Sequence, residues 1–136
     1  MKILIDTNVI IDVLLNREPF ADSSSAVLKL CEQKSLTGYI TATTITDIYY
    51  ILYKKISDKS SIYNALEKLL TIVEICDVTN HNVLNALILR EVDFEDAIQS
   101  ECAKTISADY IVTRNTADYK NSKIKAITPS DFMKNG

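Results

Sequence analysis

The sequence predicts an α/β fold, a three-layer α/β/α sandwich around a central parallel sheet of about five strands. Two observations carry that expectation. Short apolar runs alternate with longer amphipathic stretches along the chain, which is the pattern left when strands and covering helices follow one another. The 136 residues include only two glycines and two prolines, so no linker divides them, and a single domain over residues 1–136 is expected. At 47% hydrophobic and 24% charged composition, such a domain buries roughly two-thirds of its unfolded surface.

The first strand is Lys2–Asp6, apolar at Ile3, Leu4 and Ile5. After Asp6-Thr7-Asn8 the stretch Val9 to Leu15 is almost wholly apolar and reads as a buried helix. Pro19 opens the next helix, through about Gln33, because its fixed φ suits a first helical turn. Gly38–Thr41 is the second strand. Ile45, Ile48, Tyr49, Leu52 and Ile56 then fall in one stripe at helical spacing, leaving Asp47 on the far side with Thr43, Ile51 and Lys54. Ser60 or Ser61 opens a further helix with Ile62, Ala65, Leu66, Leu69 and Leu70 on one face. Ile72–Asp77 is the third strand, and Asn80 caps a helix carrying Val83, Leu84, Leu87 and Ile88. A last long helix begins near Asp96 and reaches about Ser107, before the strands Asp109–Thr113 and Lys125–Thr128. Right-handed crossovers are expected between the parallel strands. In such sheets ligands sit beyond the carboxyl ends of the strands.

Composition removes several classes of function. Cys31, Cys76 and Cys102 are odd in number, widely spaced and form no CxxC pair, so neither a disulfide framework nor a zinc site is supported. Each is expected as a small buried hydrophobe in a reducing cytosol. The opening Met1 to Ile5 meets an acid at Asp6, too soon for a signal peptide or a membrane span, so a soluble cytoplasmic protein without membrane attachment is expected. The net charge of −3 argues against a surface coated in basic residues, so contact with nucleic acid has to rest on a local site.

Four separated acids supply that site. Asp6 ends the first strand, where a carboxylate faces the crevice at the sheet edge and can help hold a cation, or simply caps the helix behind it. Asp47 lies on the polar side of its helix, and Thr44-x-x-Asp47 also has the spacing of a capping box. Asp96 heads a stripe of small side chains, Ser100, Ala103 and Ser107, that lets the helix lie close to a neighbouring backbone. Asp93, Glu95 and Asp96 are equally first-turn acids favoured by the helix dipole. Past the strand Tyr110-Ile111-Val112-Thr113, the run Arg114 to Lys120 places Asn115 and Asp118 at the same rim, or forms a polar turn with Asn115 as a cap.

In order and spacing these residues resemble the PIN-domain family over nearly the whole chain. The resemblance rests on Asp6-Thr7-Asn8, Asp47, Glu95-Asp96-Ala97-Ile98-Gln99, Thr113-Arg114-Asn115 with Asp118-Tyr119, and Ile127-Thr128-Pro129-Ser130-Asp131-Phe132. It implies an endoribonuclease dependent on magnesium or manganese, of the kind found as VapC-type toxins. It implies Asp6, Asp47, Asp96 and Asp118 as metal-binding and catalytic acids, Asn115 as an auxiliary polar ligand, an antitoxin partner and a homodimer. Most relatives carry Glu where Asp47 stands, and many carry Asp in place of Asn115.

Chemistry is consistent with that set. Magnesium takes oxygen ligands and keeps several waters, so a few carboxylates suffice and the single histidine, His81, is not needed. Arg114, then Lys120 and Lys123, are the nearest cations for RNA phosphates, and Thr7 is placed to hydrogen-bond the scissile phosphate. Tyr49-Tyr50-x-x-Tyr53-Lys54-Lys55 has the composition of a base-stacking surface and equally that of helix packing. Two other functions fit the same fold: an interaction module without catalysis, and a magnesium-dependent phosphatase or receiver-like domain in which Asp6 accepts a phosphoryl group.

Overall fold

The computed structural model describes residues 1–91 and 93–135. Five strands, β1 (Lys2–Ile5), β2 (Thr37–Thr41), β3 (Glu74–Cys76), β4 (Tyr110–Val112) and β5 (Ala126–Ile127), form one sheet. Every pairing in it is parallel, in the order β3-β2-β1-β4-β5. Helices α1 (Thr7–Leu14), α2 (Ala21–Glu32), α3 (Ala42–Ile56), α4 (Lys59–Leu69), α5 (Asn80–Leu89), α6 (Phe94–Thr105) and α7 (Pro129–Asn135) fill the intervals, with a short 3₁₀ turn at Thr116–Tyr119. Among the described residues no helix is long and apolar enough to cross a membrane.

Strand alternation sorts the side chains into two cores. Ile3, Ile5, Ile40 and Val112 point to one face, where they meet Val9 and Ile10 of α1, Val27 of α2, Ile48 of α3, Ile62 of α4 and Phe132 of α7. Leu4 and Ile111 point to the other, against Ala86 of α5 and Ala97, Ile98, Cys102 and Ala103 of α6. Side chains on a strand alternate with period two, so both faces of the central strands are apolar and both need a helical cover. The three cysteines are buried and unpaired, as expected of small apolar fillers.

Strand order sets the site. The chain runs from β1 to β2 to β3 in one direction and then returns past β1 to β4 and β5. β1 therefore has neighbours reached by opposite excursions, which opens a crevice at its carboxyl end. Asp6 follows β1 and Thr113 follows β4, one on each side of that opening.

Several helix starts differ from expectation. Thr41, not Thr44, caps α3, its hydroxyl accepting from Thr44 N at 3.3 Å, so the capping box drawn through Asp47 is not formed. Thr79 rather than Asn80 caps α5, in a reciprocal box with Asn82. Asp58 caps α4 ahead of Ser60, and α2 begins at Ala21, two residues beyond Pro19. For α3, α4 and α5 an extended, oxygen-bearing residue just upstream accepts from the free N–H groups first, whereas α2 follows Phe20 without a side-chain cap. The face of α5 is rotated from expectation: Val83 packs partly buried against the core and Asn82 and Ala86 are buried beside α6, whereas Leu84, Leu87 and Ile88 are 50–76% exposed. The small Ala86 and the Asn82 amide, which donates to Thr105 Oγ1 at 3.0 Å, let the two helices approach more closely than a leucine face allows.

Arg114, expected as a phosphate contact, is a structural clamp. Its guanidinium pairs with the wholly buried Asp12 of α1, Nε to Oδ2 at 2.6 Å, with Nη2 donating to Oδ1 at 3.2 Å, and lies 4.2 Å above the Phe20 ring. Asp12, one turn beyond Asn8 on the inner side of α1, is a charge that the apolar core tolerates only when paired. The pair ties α1 to the turn after β4.

Two stability tests follow from this packing. A Cβ added at Gly38 would stand 2.6 Å from Cys31 Sγ and 3.1 Å from Ile5 Cδ1. Gly38→Ala is expected to cost about 1–3 kcal/mol in urea denaturation, part of which Cys31→Ala restores by removing the sulfur it meets. Arg114→Gln is expected to cost about 3 kcal/mol by leaving Asp12 unpaired, and Asp12→Asn added to it recovers stability; equal stability of Arg114→Gln and the parent would remove the clamp.

Candidate active site

The Asp6 carboxylate is the centre of the crevice. It is 8% exposed and surrounded by donors. Oδ1 accepts from Thr7 N at 2.8 Å, which caps α1, and from Gln99 Nε2 of α6 at 3.1 Å. Oδ2 accepts from the Thr113 hydroxyl at 2.8 Å and the Tyr119 hydroxyl at 3.1 Å, with Asn8 Nδ2 more distant at 3.4 Å. Asp6 is thus both a cap and a crevice acid, and the two roles use different oxygens.

Tyr119 joins this acid to the next. Its hydroxyl lies 3.1 Å from Asp6 Oδ2 and 3.2 Å from Asp96 Oδ1, so one proton is shared between two carboxylates. Burial, then the charges of Asp6 and Asp96, hold the phenol far above its ordinary range, so it remains a donor. Asp96 is placed by the start of α6, where Asp93 Oδ1 accepts from its backbone N–H at 3.0 Å. Burial, followed by the charges of Asp93 and Asp6, raises Asp96 to about 6, against the Tyr119 hydrogen bond, while Asp118 adds a smaller push upwards.

Glu95 is the residue that the sequence reading did not single out. Its interaction with the neighbouring Asp47 carboxyl, then burial, then the charges of Asp47, Asp93 and Asp6, raise it to about 8. Asp47, half-buried on α3, is thereby brought to the same acid group from the opposite side. Asp6, Asp96, Asp118, Glu95 and Asn115 line one open groove of about 320 Å³, with Thr7 on its wall. Thr7 Oγ1 lies 3.0 Å from Thr44 Oγ1, which ties α1 to α3.

Three of the four predicted acids, Asp6, Asp96 and Asp118, therefore line one groove, while Asp47 does not line it and stands beside Glu95, which does. Among the described residues no three acidic, histidine or cysteine side chains stand close enough to enclose one ion as they lie. They ring a groove. The donor set suits a hard divalent cation, since every charged donor is a carboxylate oxygen and neither a histidine nor a cysteine lines the groove. Asn115 precedes the 3₁₀ turn without a side-chain cap, and its backbone N–H donates to Thr113 Oγ1 at 3.0 Å. Arg17, not Arg114, is the cation on the groove wall. Gln99 and Tyr119 were also not predicted, although each stands in a string that carried the resemblance; the sequence signal for Gln99 is its position one turn beyond Glu95 and Asp96.

Solved structures with the same architecture include VapBC2 from Rickettsia felis bound to a DNA fragment from its promoter, 20% identical over 94% of this chain and 98% of that one with a TM-score of 0.72. FitAcB from Neisseria gonorrhoeae is 21% identical over 94% and 98% of the two chains, with a TM-score of 0.75. VapC20 from Mycobacterium tuberculosis, described as a Sarcin-Ricin loop cleaving toxin, is 16% identical over 80% and 86%, with a TM-score of 0.64. At these identities the likeness establishes the fold. No curated protein is significantly similar in sequence. The family profile of the PIN domain matches residues 2–117, from the first strand to the turn that carries Asn115, and this chain belongs to the PIN domain family.

Proposed function

We propose that this chain is a cytoplasmic endoribonuclease dependent on magnesium or manganese that hydrolyses RNA phosphodiester bonds, as the toxin of a toxin–antitoxin pair. The observation that carries the reading is the Asp6 carboxylate, fixed by five donors at the carboxyl end of β1 and joined through Tyr119 to Asp96 on the groove. A divalent cation, when bound, supplies positive charge against the developing phosphorane and acidifies the attacking water. Asp6, Asp96 and Asp118 would hold it, with Asp47 and Glu95 completing the acid ring. Glu95 also offsets the shorter reach of Asp47 compared with the glutamate that most relatives carry. Gln99, Thr113 and Tyr119 keep Asp6 in one orientation, so that no reorganisation is needed at the moment of reaction. Thr7 and Asn115 stand where a scissile phosphate enters, and Arg17 offsets its charge.

The antitoxin reading draws support from solved relatives described as VapBC and toxin–antitoxin complexes; a homodimer is part of the same proposal. Two surfaces of this chain suit them. One is the exposed leucine and isoleucine face of α5. The other is the tyrosine group of α3 and α4, in which Tyr49 packs against Tyr50, Tyr53 and Tyr63 with centroids 5.4–6.0 Å apart. Those rings meet edge-on, stacked and tilted, so packing on one another rather than base stacking is their first role.

Asp6→Asn is expected to lower RNA cleavage at least a thousandfold in manganese, on the order of the loss when a charge-stabilising group is removed, while far-ultraviolet circular dichroism stays unchanged; undiminished cleavage would reject the assignment of Asp6. A second test uses pH. The folded-state values of Glu95 and Asp96 lie above the ordinary carboxylate range, so the folded protein binds protons that the unfolded chain releases. Their charged forms cost stability at high pH, and that cost is relieved as pH falls through about 8 and then about 6. Tm of the cation-free protein is therefore expected to rise between pH 8.5 and 5.5, and manganese to raise Tm most at the upper end of that window, where proton and cation no longer compete. Glu95→Gln is expected to flatten the pH dependence over that window.

A further inference from the structure

Beside the groove lies a second cavity, of about 360 Å³, which shares Asp93, Asp96 and Asp118 with it and so opens directly onto the acids. We propose that this cavity receives the nucleobase next to the scissile phosphate, and thereby contributes to where the RNA is cut; the inference rests on the nuclease reading above.

Charge decides which part of a nucleotide can enter. Glu91, Asp93, Asp96 and Asp118 line the cavity against a single cation, Lys120, so a phosphate is repelled from its interior and a neutral ring is not. The walls between those acids are apolar and small. Leu89 from the end of α5, Ala97 of α6 and Ala117 of the 3₁₀ turn leave a slot into which a flat ring can slide, as single-stranded bases do when splayed out of their stack. The volume falls in the lower part of the range of small-ligand sites.

One hydroxyl in the wall has an uncommitted donor. Ser122 Oγ accepts from the Ser100 hydroxyl at 2.7 Å and from Ile124 N at 3.2 Å. Both lone pairs of Ser122 are thereby used and its own O–H has no partner among the described residues, which leaves it to donate to a carbonyl oxygen or ring nitrogen of the base. Ser100 is itself buried, so the position of Ser122 is fixed from behind. Lys120 forms no ion pair among the described residues and stands at the cavity wall, where it can meet the phosphate on the far side of the inserted nucleotide.

Ala117→Leu adds bulk to the cavity wall, and Ser122→Ala removes its free hydroxyl. The full chain and both variants are compared with manganese for cleavage of a mixed-sequence RNA, with products sequenced, and for binding of a fluorescent 2′-O-methyl RNA that cannot be cut. Ala117→Leu is expected to lose at least about tenfold in kcat/KM and in affinity and to blur the base preference at the cut. Ser122→Ala is expected to change the base preference while the manganese-induced rise in Tm persists. Cleavage by Ala117→Leu with the parent's rate and base preference overturns the pocket alone. A parent chain that cuts no RNA in manganese overturns the nuclease reading, and the pocket with it.

Discussion

A buried carboxylate cannot stay charged without donors, and the core of this molecule is arranged around giving Asp6 enough of them. The need arises from topology. A chain that visits β2 and β3, then returns past β1 to β4, opens a crevice where β1 ends. Asp6 is the first residue beyond that strand, and it is closed off by Thr7 from its own helix, Thr113 from β4, Gln99 from α6 and Tyr119 from the 3₁₀ turn. Four separate segments of the chain therefore meet at one side chain. A substitution that disturbs the packing of any of them is felt at the carboxylate.

The acids beyond Asp6 are in the opposite condition. Asp96 and Glu95 have few donors, several like charges near them, and elevated proton affinity as a result. Packing like charges around one groove costs folding free energy. That cost sits at the rim, where the Asp12–Arg114 clamp and the two apolar cores hold the backbone against it. The division is a physical one: Asp6 is held by donors, while the surrounding acids carry like charge with few donors to offset it.

The sheet was legible because both faces of β1 and β4 are apolar and the periodicity changes cleanly between strands and helices. All five predicted strands occur, each within about two residues of its expected ends. Helix starts were less legible, since oxygen-bearing residues such as Thr41, Asp58 and Thr79 lie just upstream of others with the same capping chemistry. Asp6, Asp96 and Asp118 were readable from their places at strand and helix ends. The pairing of Arg114 is not legible because nothing local in the sequence says that Asp12, 102 residues away, is fully buried and needs it. Gln99, Tyr119 and Glu95 were missed for the same reason, as each acts on a residue brought near only by the fold.

The most direct measurement is paramagnetic broadening of amide resonances by substoichiometric manganese in the full chain. Selective loss of signals from residues 5–7, 94–97 and 115–119, with the face of α2 and α7 unaffected, is the expected result, since it places the ion among the carboxylates that converge at the end of β1. Broadening confined to other surface acids, such as Asp22 or Glu74, would contradict it.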